Sequence, residues 1–242
     1  MPEALTARPP MIISSFLDFL SPPVCPFCED DVFEGESGIC RSCESHLPQL
    51  PQRLCPGCGG PLDGILDLCE ACAEAGPRPW TKAVTAFPYF GQIRLAVHRF
   101  KYRNRISLAP FFGKRMADAW RANGTDGIDA VTYIPLHWMR HVERGYNQAE
   151  LLAAQIGRHL GVSLLCTLRR NRSTGRQAAL GKDDRLRNLR GAFSAYRPTR
   201  FEGKRLILVD DVFTTGSTLE EATRTLLKAG AESVSVLTIA RD

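Results

Sequence analysis

Two patterns in this sequence place reactive side chains at meaningful intervals. One is an acidic pair ahead of small hydroxyl residues. The other is a ladder of paired cysteines. The acidic pair lies in Leu206-Ile207-Leu208-Val209-Asp210-Asp211-Val212-Phe213-Thr214-Thr215-Gly216-Ser217-Thr218. Four apolar residues in a row read as a strand buried on both faces. Leu219, Ala222, Thr223, Leu226 and Leu227 then share one helical face, and Gly230 stops the helix. Thr218 and Glu221 have capping-box spacing, which predicts a helix start at Ser217 or Thr218. A loop between a parallel strand and a helix lies where open α/β sheets bind ligands. Its N–H groups and hydroxyls suit a phosphate, and Gly216 lets the backbone come close. Asp210 and Asp211 precede that cradle and suit sugar hydroxyls or Mg2+. The implied ligand is a phosphorylated sugar with vicinal hydroxyls. The loop lacks the Gly-Lys-Ser/Thr of a P-loop, which argues against ATP.

Eight of the nine cysteines form the pairs Cys25/Cys28, Cys40/Cys43, Cys55/Cys58 and Cys69/Cys72. Each Cys-x-x-Cys puts two thiolates on one tight turn, and two such turns complete a tetrahedral Zn2+ site. Four thiolates leave no open position, so two structural zinc ions are expected. Sequential pairing is the simplest arrangement, and the sequence does not exclude interleaved pairing. Redox chemistry and an iron–sulfur cluster are the alternatives. Few large apolar residues lie between the knuckles, so this segment needs staples. Met11 to Leu20 carries Asp18 and lacks a basic lead-in, which does not match a secretory leader. Metal is therefore expected over disulfides, in a cytoplasmic protein. Ile13, Phe16, Leu17 and Leu20 predict a short docking helix. Cys166 falls in the predicted strand Val162 to Cys166 and reads as a small buried core residue.

At 242 residues the chain has room for one or two domains. Its 44% hydrophobic content supports a core, and a net charge of +5 admits an anionic ligand without requiring nucleic acid. No apolar run approaches the ~18 residues of a membrane span. The sequence divides into a zinc-binding module over residues 11–76 and an α/β domain over residues 80–242, with Pro77 and Pro79 between. Predicted strands at Ala83 to Tyr89, Asp129 to Pro135, Val162 to Cys166, Gly191 to Ala195, Leu206 to Val209 and Ser233 to Ile239 alternate with helices. That order implies an α/β fold with a parallel, doubly wound sheet.

Basic residues gather in three places. Ile93, Val97 and Phe100 predict a helix ending in His98 to Arg105, where cations and rings interleave. That stretch suits either stacked bases or an ordinary basic helix end with its rings turned inward. A loop with His137, Arg140, His141 and Arg144 follows the second strand, suited to a second anionic group. Next, Asn147 and Glu150 predict a capped helix whose apolar face runs through Ala149, Leu152, Ala153, Ile156 and Leu160 to Gly161. Arg169 to Arg190 is long and polar and includes Arg172, Arg176 and Arg185. Such a segment suits a lid that closes on an anionic leaving group, with a solvated loop or a single-strand-binding arm as rivals.

The acidic stretch resembles the 13-residue phosphoribosyl pyrophosphate (PRPP) motif of type I phosphoribosyltransferases. Further features accompany it: the knuckles, Phe100-Lys101-Tyr102, Arg144-Gly145-Tyr146-Asn147-Gln148, and Arg185 and Asn188 before Ala192-Phe193. With these the chain resembles the ComF (ComF/GntX) family from roughly Phe16 onward. The resemblance implies a type I phosphoribosyltransferase fold with an amino-terminal double zinc ribbon. It implies Mg2+-PRPP on Asp210 and Asp211, with Val212, Phe213, Thr214, Thr215, Gly216, Ser217 and Thr218 around the 5′-phosphate. Asp210, Asp211 and Arg144 become the implied catalytic residues, with pyrophosphate contacted by His137, Arg140, Arg172, Arg176 and Arg185. A cytoplasmic bacterial protein linked to DNA uptake in natural transformation, with competence proteins as partners, is also implied. Two function classes follow. One is a phosphoribosyltransferase, for which no residue selects a nucleobase acceptor. The other is a non-catalytic single-stranded DNA-binding protein on the same fold.

Overall fold

The computed structural model describes residues 24–30, 39–48, 53–62, 65–136, 145–171 and 191–242. The chain forms two compact units that divide between Leu47 and Pro48. The change in sequence character at residues 77–79 therefore falls inside the second unit. The expected docking helix at residues 11–20 lies outside the described residues.

In the first unit, one knuckle turns at residues 25–28, closed by Cys25 N–H to Asp30 O at 2.7 Å. The second knuckle leads into helix α1 (Arg41–Ser45), with Cys40 at its N-cap. Ile39, between them in sequence, is fully buried, and Phe27 of the first knuckle is buried as well.

The second unit begins with another pair of knuckles. Leu54 and Pro61 form an antiparallel bridge around the first, and helix α2 (Glu70–Ala75) follows the second. Next come β1 (Ala83–Pro88), α3 (Gly91–Tyr102), α4 (Leu108–Asn123), β2 (Ala130–Tyr133), α5 (Gln148–Leu160), β3 (Ser163–Leu164), β4 (Leu168–Arg170) and β5 (Phe193–Ala195). The unit closes with β6 (Arg205–Phe213), α6 (Ser217–Lys228) and β7 (Ser233–Arg241). Five strands make one sheet in the order β1-β7-β6-β2-β3, parallel at every pairing.

β6 sits at the centre and explains its own sequence. Leu206, Ile207, Leu208 and Val209 are all 0% exposed, because both faces are covered. Leu206 and Leu208 pack with Leu219, Ala222 and Leu226 of α6. Ile207 and Val209 point the other way by strand alternation. α4 and α5 cover the sheet as well and lie against one another. Gly113 makes that approach possible, since a Cβ there would sit 2.3 Å from Gln155 Cβ.

Three expectations are corrected. The strand at Val162 to Cys166 shrinks to Ser163–Leu164, an edge strand with both residues exposed. Cys166 is exposed rather than buried, because an edge strand beyond β2 has no neighbour to cover it. β5 forms, but it pairs antiparallel with β4 in a separate two-stranded sheet. Among the described residues no helix is long and apolar enough to cross a membrane.

Candidate functional site

The acidic pair stands toward the carboxyl end of β6, beyond its last pairing with β2 at Val209 and still alongside β7. The chain then turns at Gly216, whose φ of 80° is in the left-handed region. This glycine also has no room for a side chain: a Cβ would lie 2.7 Å from Phe213 Cζ and 3.2 Å from Trp80 Cη2. α6 starts at Ser217 as expected, with Gly216 rather than Thr218 at its N-cap and no side-chain cap. Glu221 does not close a capping box. Its Oε1 accepts from Gly191 N–H at 2.7 Å instead and ties the helix to the approach to β5. Within the loop, Thr215 and Ser217 hydroxyls bond each other at 2.9 Å, and Ser217 N–H points to Thr215 Oγ1 at 3.4 Å. The loop thus presents hydroxyls at a helix N-terminus, an arrangement suited to phosphate.

The two carboxylates have different surroundings. Asp211 meets Lys101 Nζ at 2.9 Å. Asp210 accepts the Asp211 N–H at 2.8 Å. Burial first, and the Asp211 charge second, push the Asp210 carboxyl up to about 7, with Lys101 and Arg170 opposing. Burial acts to lower the Lys101 pKa, but Asp211 and then Asp210 outweigh it and hold the ammonium above its ordinary range.

Lys101 is delivered by the last turn of α3, and that turn is pinned from another segment. Gln148 Nε2 donates to Lys101 O at 3.4 Å, and the Tyr146 hydroxyl donates to Phe100 O. Asn147 caps α5 through Ala149 N–H at 3.0 Å and also donates to Ile134 O at 3.1 Å. Gly145-Tyr146-Asn147-Gln148 is therefore a clamp that fixes both the end of α3 and the stretch after β2. In the His98 to Arg105 stretch Phe100 is turned inward and fully buried, whereas Tyr102 is 53% exposed and packs its ring 4.8 Å from His98.

Asp210, Asp211 and the residues from Val212 to Thr218 are thus brought together by β6 and α6. His137, Arg140, Arg144, Arg172, Arg176 and Arg185 lie outside the described residues.

The eight paired cysteines form two groups, and the pairing is sequential. Cys25, Cys28, Cys40 and Cys43 have their sulfurs within 4.8 Å of one another, as do Cys55, Cys58, Cys69 and Cys72. Cys28 and Cys40 sulfurs are 3.6 Å apart, and Cys58 and Cys69 sulfurs 3.7 Å. Tetrahedral Zn–S bonds of about 2.3 Å put sulfurs roughly 3.8 Å apart, so both groups fit structural zinc. None of these cysteines forms a disulfide. Backbone donors prepare the thiolates. Burial opposes ionisation of Cys25, but N–H groups of Cys40, Cys28 and Phe27 outweigh it and lower its pKa to about 7. Burial and its sulfur neighbours push Cys43 up, and burial and the Cys58 charge push Cys72 up. Four thiolates therefore need a cation to coexist.

Comparison with known proteins agrees with this geometry. Residues 16–73 match the family model described as a double zinc ribbon domain, and residues 147–242 match the phosphoribosyl transferase domain. Competence protein F of Haemophilus influenzae is 34% identical over 223 residues, covering 90% of this chain and 96% of its own. The chain belongs to the ComF family. Competence protein ComFC of Bacillus subtilis is 31% identical, covering 87% of each chain. Among solved structures, glutamine PRPP amidotransferase from B. subtilis, complexed with ADP and GMP, covers 58% of this chain and 30% of its own at 24% identity, with a TM-score of 0.41.

Lys101 falls within Phe100-Lys101-Tyr102, but nothing local in the sequence assigns it to the acidic pair. Sequence reading missed Trp80 and Arg241 altogether. Trp80 packs its ring edge-on to Phe213 at 5.9 Å, and Arg241 Nε donates to Cys58 Sγ at 3.2 Å. A buried tryptophan just after a proline-rich linker was the available signal for the first. Nothing local signalled the second.

Proposed function

We propose that this chain binds Mg2+-PRPP in the loop from Asp210 to Thr218 and serves DNA uptake. The observation that carries the reading is the joint placement of the acidic pair, the Lys101 counter-charge and the hydroxyl-lined start of α6 at the carboxyl end of β6. The 5′-phosphate lies against N–H groups and hydroxyls of Thr214 to Thr218. Asp210 and Asp211 accept hydrogen bonds from the ribose hydroxyls. Their oxygens are also hard donors of the kind Mg2+ takes, so the donor set fits that ion. Bound there with PRPP, Mg2+ would neutralise pyrophosphate charge. As a phosphoribosyltransferase, the protein would use Arg144 with His137, Arg140, Arg172, Arg176 and Arg185 to stabilise the departing pyrophosphate.

DNA uptake enters through the relatives, two of which are named as competence proteins. Thiol-rich metal sites suit a reducing cytoplasm, the compartment we assign. Competence proteins are the partner class this assignment calls for.

Calorimetric titration of the zinc-loaded protein with PRPP in the presence of Mg2+ tests the ligand. The native protein is expected to bind saturably. Asp210→Asn with Asp211→Asn is expected to weaken binding by at least about tenfold, roughly the loss of one charge-assisted hydrogen bond, with the circular dichroism unchanged. Equal affinity in the double variant would sink the assignment.

A second reading rests on Tyr196, which follows the antiparallel β4–β5 pair. Two guanidinium groups lie near its ring, with Arg169 at 3.9 Å and Arg197 at 4.9 Å from the centroid. Cations beside an aromatic face suit single-stranded DNA, as ligand or acceptor. Affinity for an oligonucleotide should then fall steeply between 50 and 200 mM salt. A flat salt profile, or full affinity in Tyr196→Ala, would exclude this surface.

A further inference from the structure

Two independent routes of contact run from the second cysteine group to the phosphate loop, and both end on Phe213. The first passes through Trp80, which is 5% exposed. Its Nε1–H donates to Gly57 O at 3.1 Å, inside the Cys55–Cys58 knuckle. Its ring meets Phe213 edge-on at 5.9 Å, and its Cη2 would be 3.2 Å from a Cβ on Gly216. The second route passes through Arg241, whose Nε donates to Cys58 Sγ at 3.2 Å. Arg241 pairs with Phe213 in the β6–β7 register, and the next residue, Asp242, donates its N–H to Phe213 O at 3.0 Å.

The knuckle itself sits on the sheet without slack. Ala83 N–H donates to Pro56 O at 2.7 Å. A Cβ on Gly59 would lie 2.4 Å from Thr85 Oγ1, and one on Gly60 would lie 2.6 Å from Arg241 Cδ. Cys55, Cys58 and Cys72 belong to the same apolar cluster as Trp80, Phe213 and Leu219. Zinc held by the four thiolates would add to these contacts and fix the Gly57 carbonyl and the Cys58 sulfur further, since metal binding at such sites is coupled to folding. Phe213 opens the phosphate loop, and its ring bounds the space at Gly216.

We propose that Trp80 and Arg241 are positioning residues that couple the Cys55/Cys58/Cys69/Cys72 metal site to the shape of the phosphate loop. The ligand part of this coupling rests on the reading that the loop binds PRPP. Coupling between two sites is reciprocal. Metal at this site orders the loop for its ligand, and ligand in the loop slows loss of the metal.

The experiment uses the full, zinc-loaded chain and two variants. Arg241→Gln removes the bond to Cys58. Trp80→Phe keeps a ring beside Phe213 and removes the donor to Gly57. In each variant, amide exchange across residues 213–218 is expected to accelerate without ligand, while exchange across residues 130–133 stays at the native rate. Zinc content is expected to stay full, and Kd for Mg2+-PRPP to rise about tenfold, within the range that packed side chains transmit. Arg241→Lys, which keeps a donor and a charge, is expected to recover part of the affinity. In the native protein, Mg2+-PRPP is expected to slow alkylation of Cys55, Cys58, Cys69 and Cys72, read site by site by mass spectrometry. Native exchange at residues 213–218 in both variants would overturn the coupling. If the native protein binds no PRPP, the ligand reading falls, and the exchange data still decide whether metal site and loop are linked.

Discussion

Asp210 is a carboxyl group held where a carboxylate is uncomfortable. Its folded pKa of about 7 lies above the ordinary 3.8, chiefly through burial and then through Asp211. A pKa raised by folding means the native state binds the extra proton, so this group's contribution to stability is present below about pH 4 and lost as pH rises through 7. Asp210→Asn removes the penalty. Without Mg2+ or ligand, the variant is expected to melt above the native protein at pH 8, by about 2–4 °C for each kcal/mol relieved, and the gap should close toward pH 4. A gap that stays the same at both pH values would refute this account. The acidic pair was legible in the sequence because its members are adjacent and precede a phosphate-type loop. Lys101 was less so, because its partner Asp211 comes from another element and only the fold brings them to 2.9 Å. Cys166 was misread for a similar reason: its neighbours are apolar in sequence, but its strand lies at the sheet edge.

At the scale of elements, the loop between β6 and α6 shows how much one residue type can carry. Gly216 needs its positive φ and has its Cβ position filled by Phe213 and Trp80. Gly216→Ala meets both obstacles, and is expected to lower stability by about 1–3 kcal/mol and to weaken PRPP binding. Denaturant unfolding and calorimetry read the two effects. A native midpoint would mean the loop has more freedom than the packing indicates. Strands and helices with regular apolar spacing were readable, β6 and α6 most of all. α4 was not, because Pro110 and Gly113 interrupt its pattern. Pro110 falls in the first turn, where a missing N–H is harmless, and Gly113 marks the close approach to α5. The expected capping box failed because Glu221 was taken by the backbone of Gly191. That contact joins residues far apart in sequence and outside any local rule.

At the scale of the whole molecule, the features that stand out are two four-cysteine groups that fit structural zinc and the acidic loop after β6. Metal analysis of the purified chain is expected to find about two zinc ions, one for each set of four thiolates. One ion would contradict the two-site geometry, and iron would contradict the zinc assignment. The number of sites was readable from Cys-x-x-Cys spacing, but the pairing was not, since sequential and interleaved arrangements use the same spacing. Only the fold gathers the first four and the last four separately. Spacing also gave no hint that the second group would pack into the apolar cluster of the α/β body. The glycines at 57, 59 and 60 read as turn residues, and they are also points of close approach.

The pairing of Lys101 with Asp211 has a further consequence for the resting protein. Two adjacent carboxylates at the end of a strand would attract whatever cation the solution offers. Here the counter-ion is covalently attached to the chain, so its local concentration does not depend on the surrounding salt. An arriving cation must therefore displace an ammonium group rather than water. Singly charged ions gain little by that exchange, while a divalent ion carried in on a polyphosphate gains much more. On the proposed reading, the tethered lysine would make the seat a competitive one, held in reserve for an ion that arrives with its ligand.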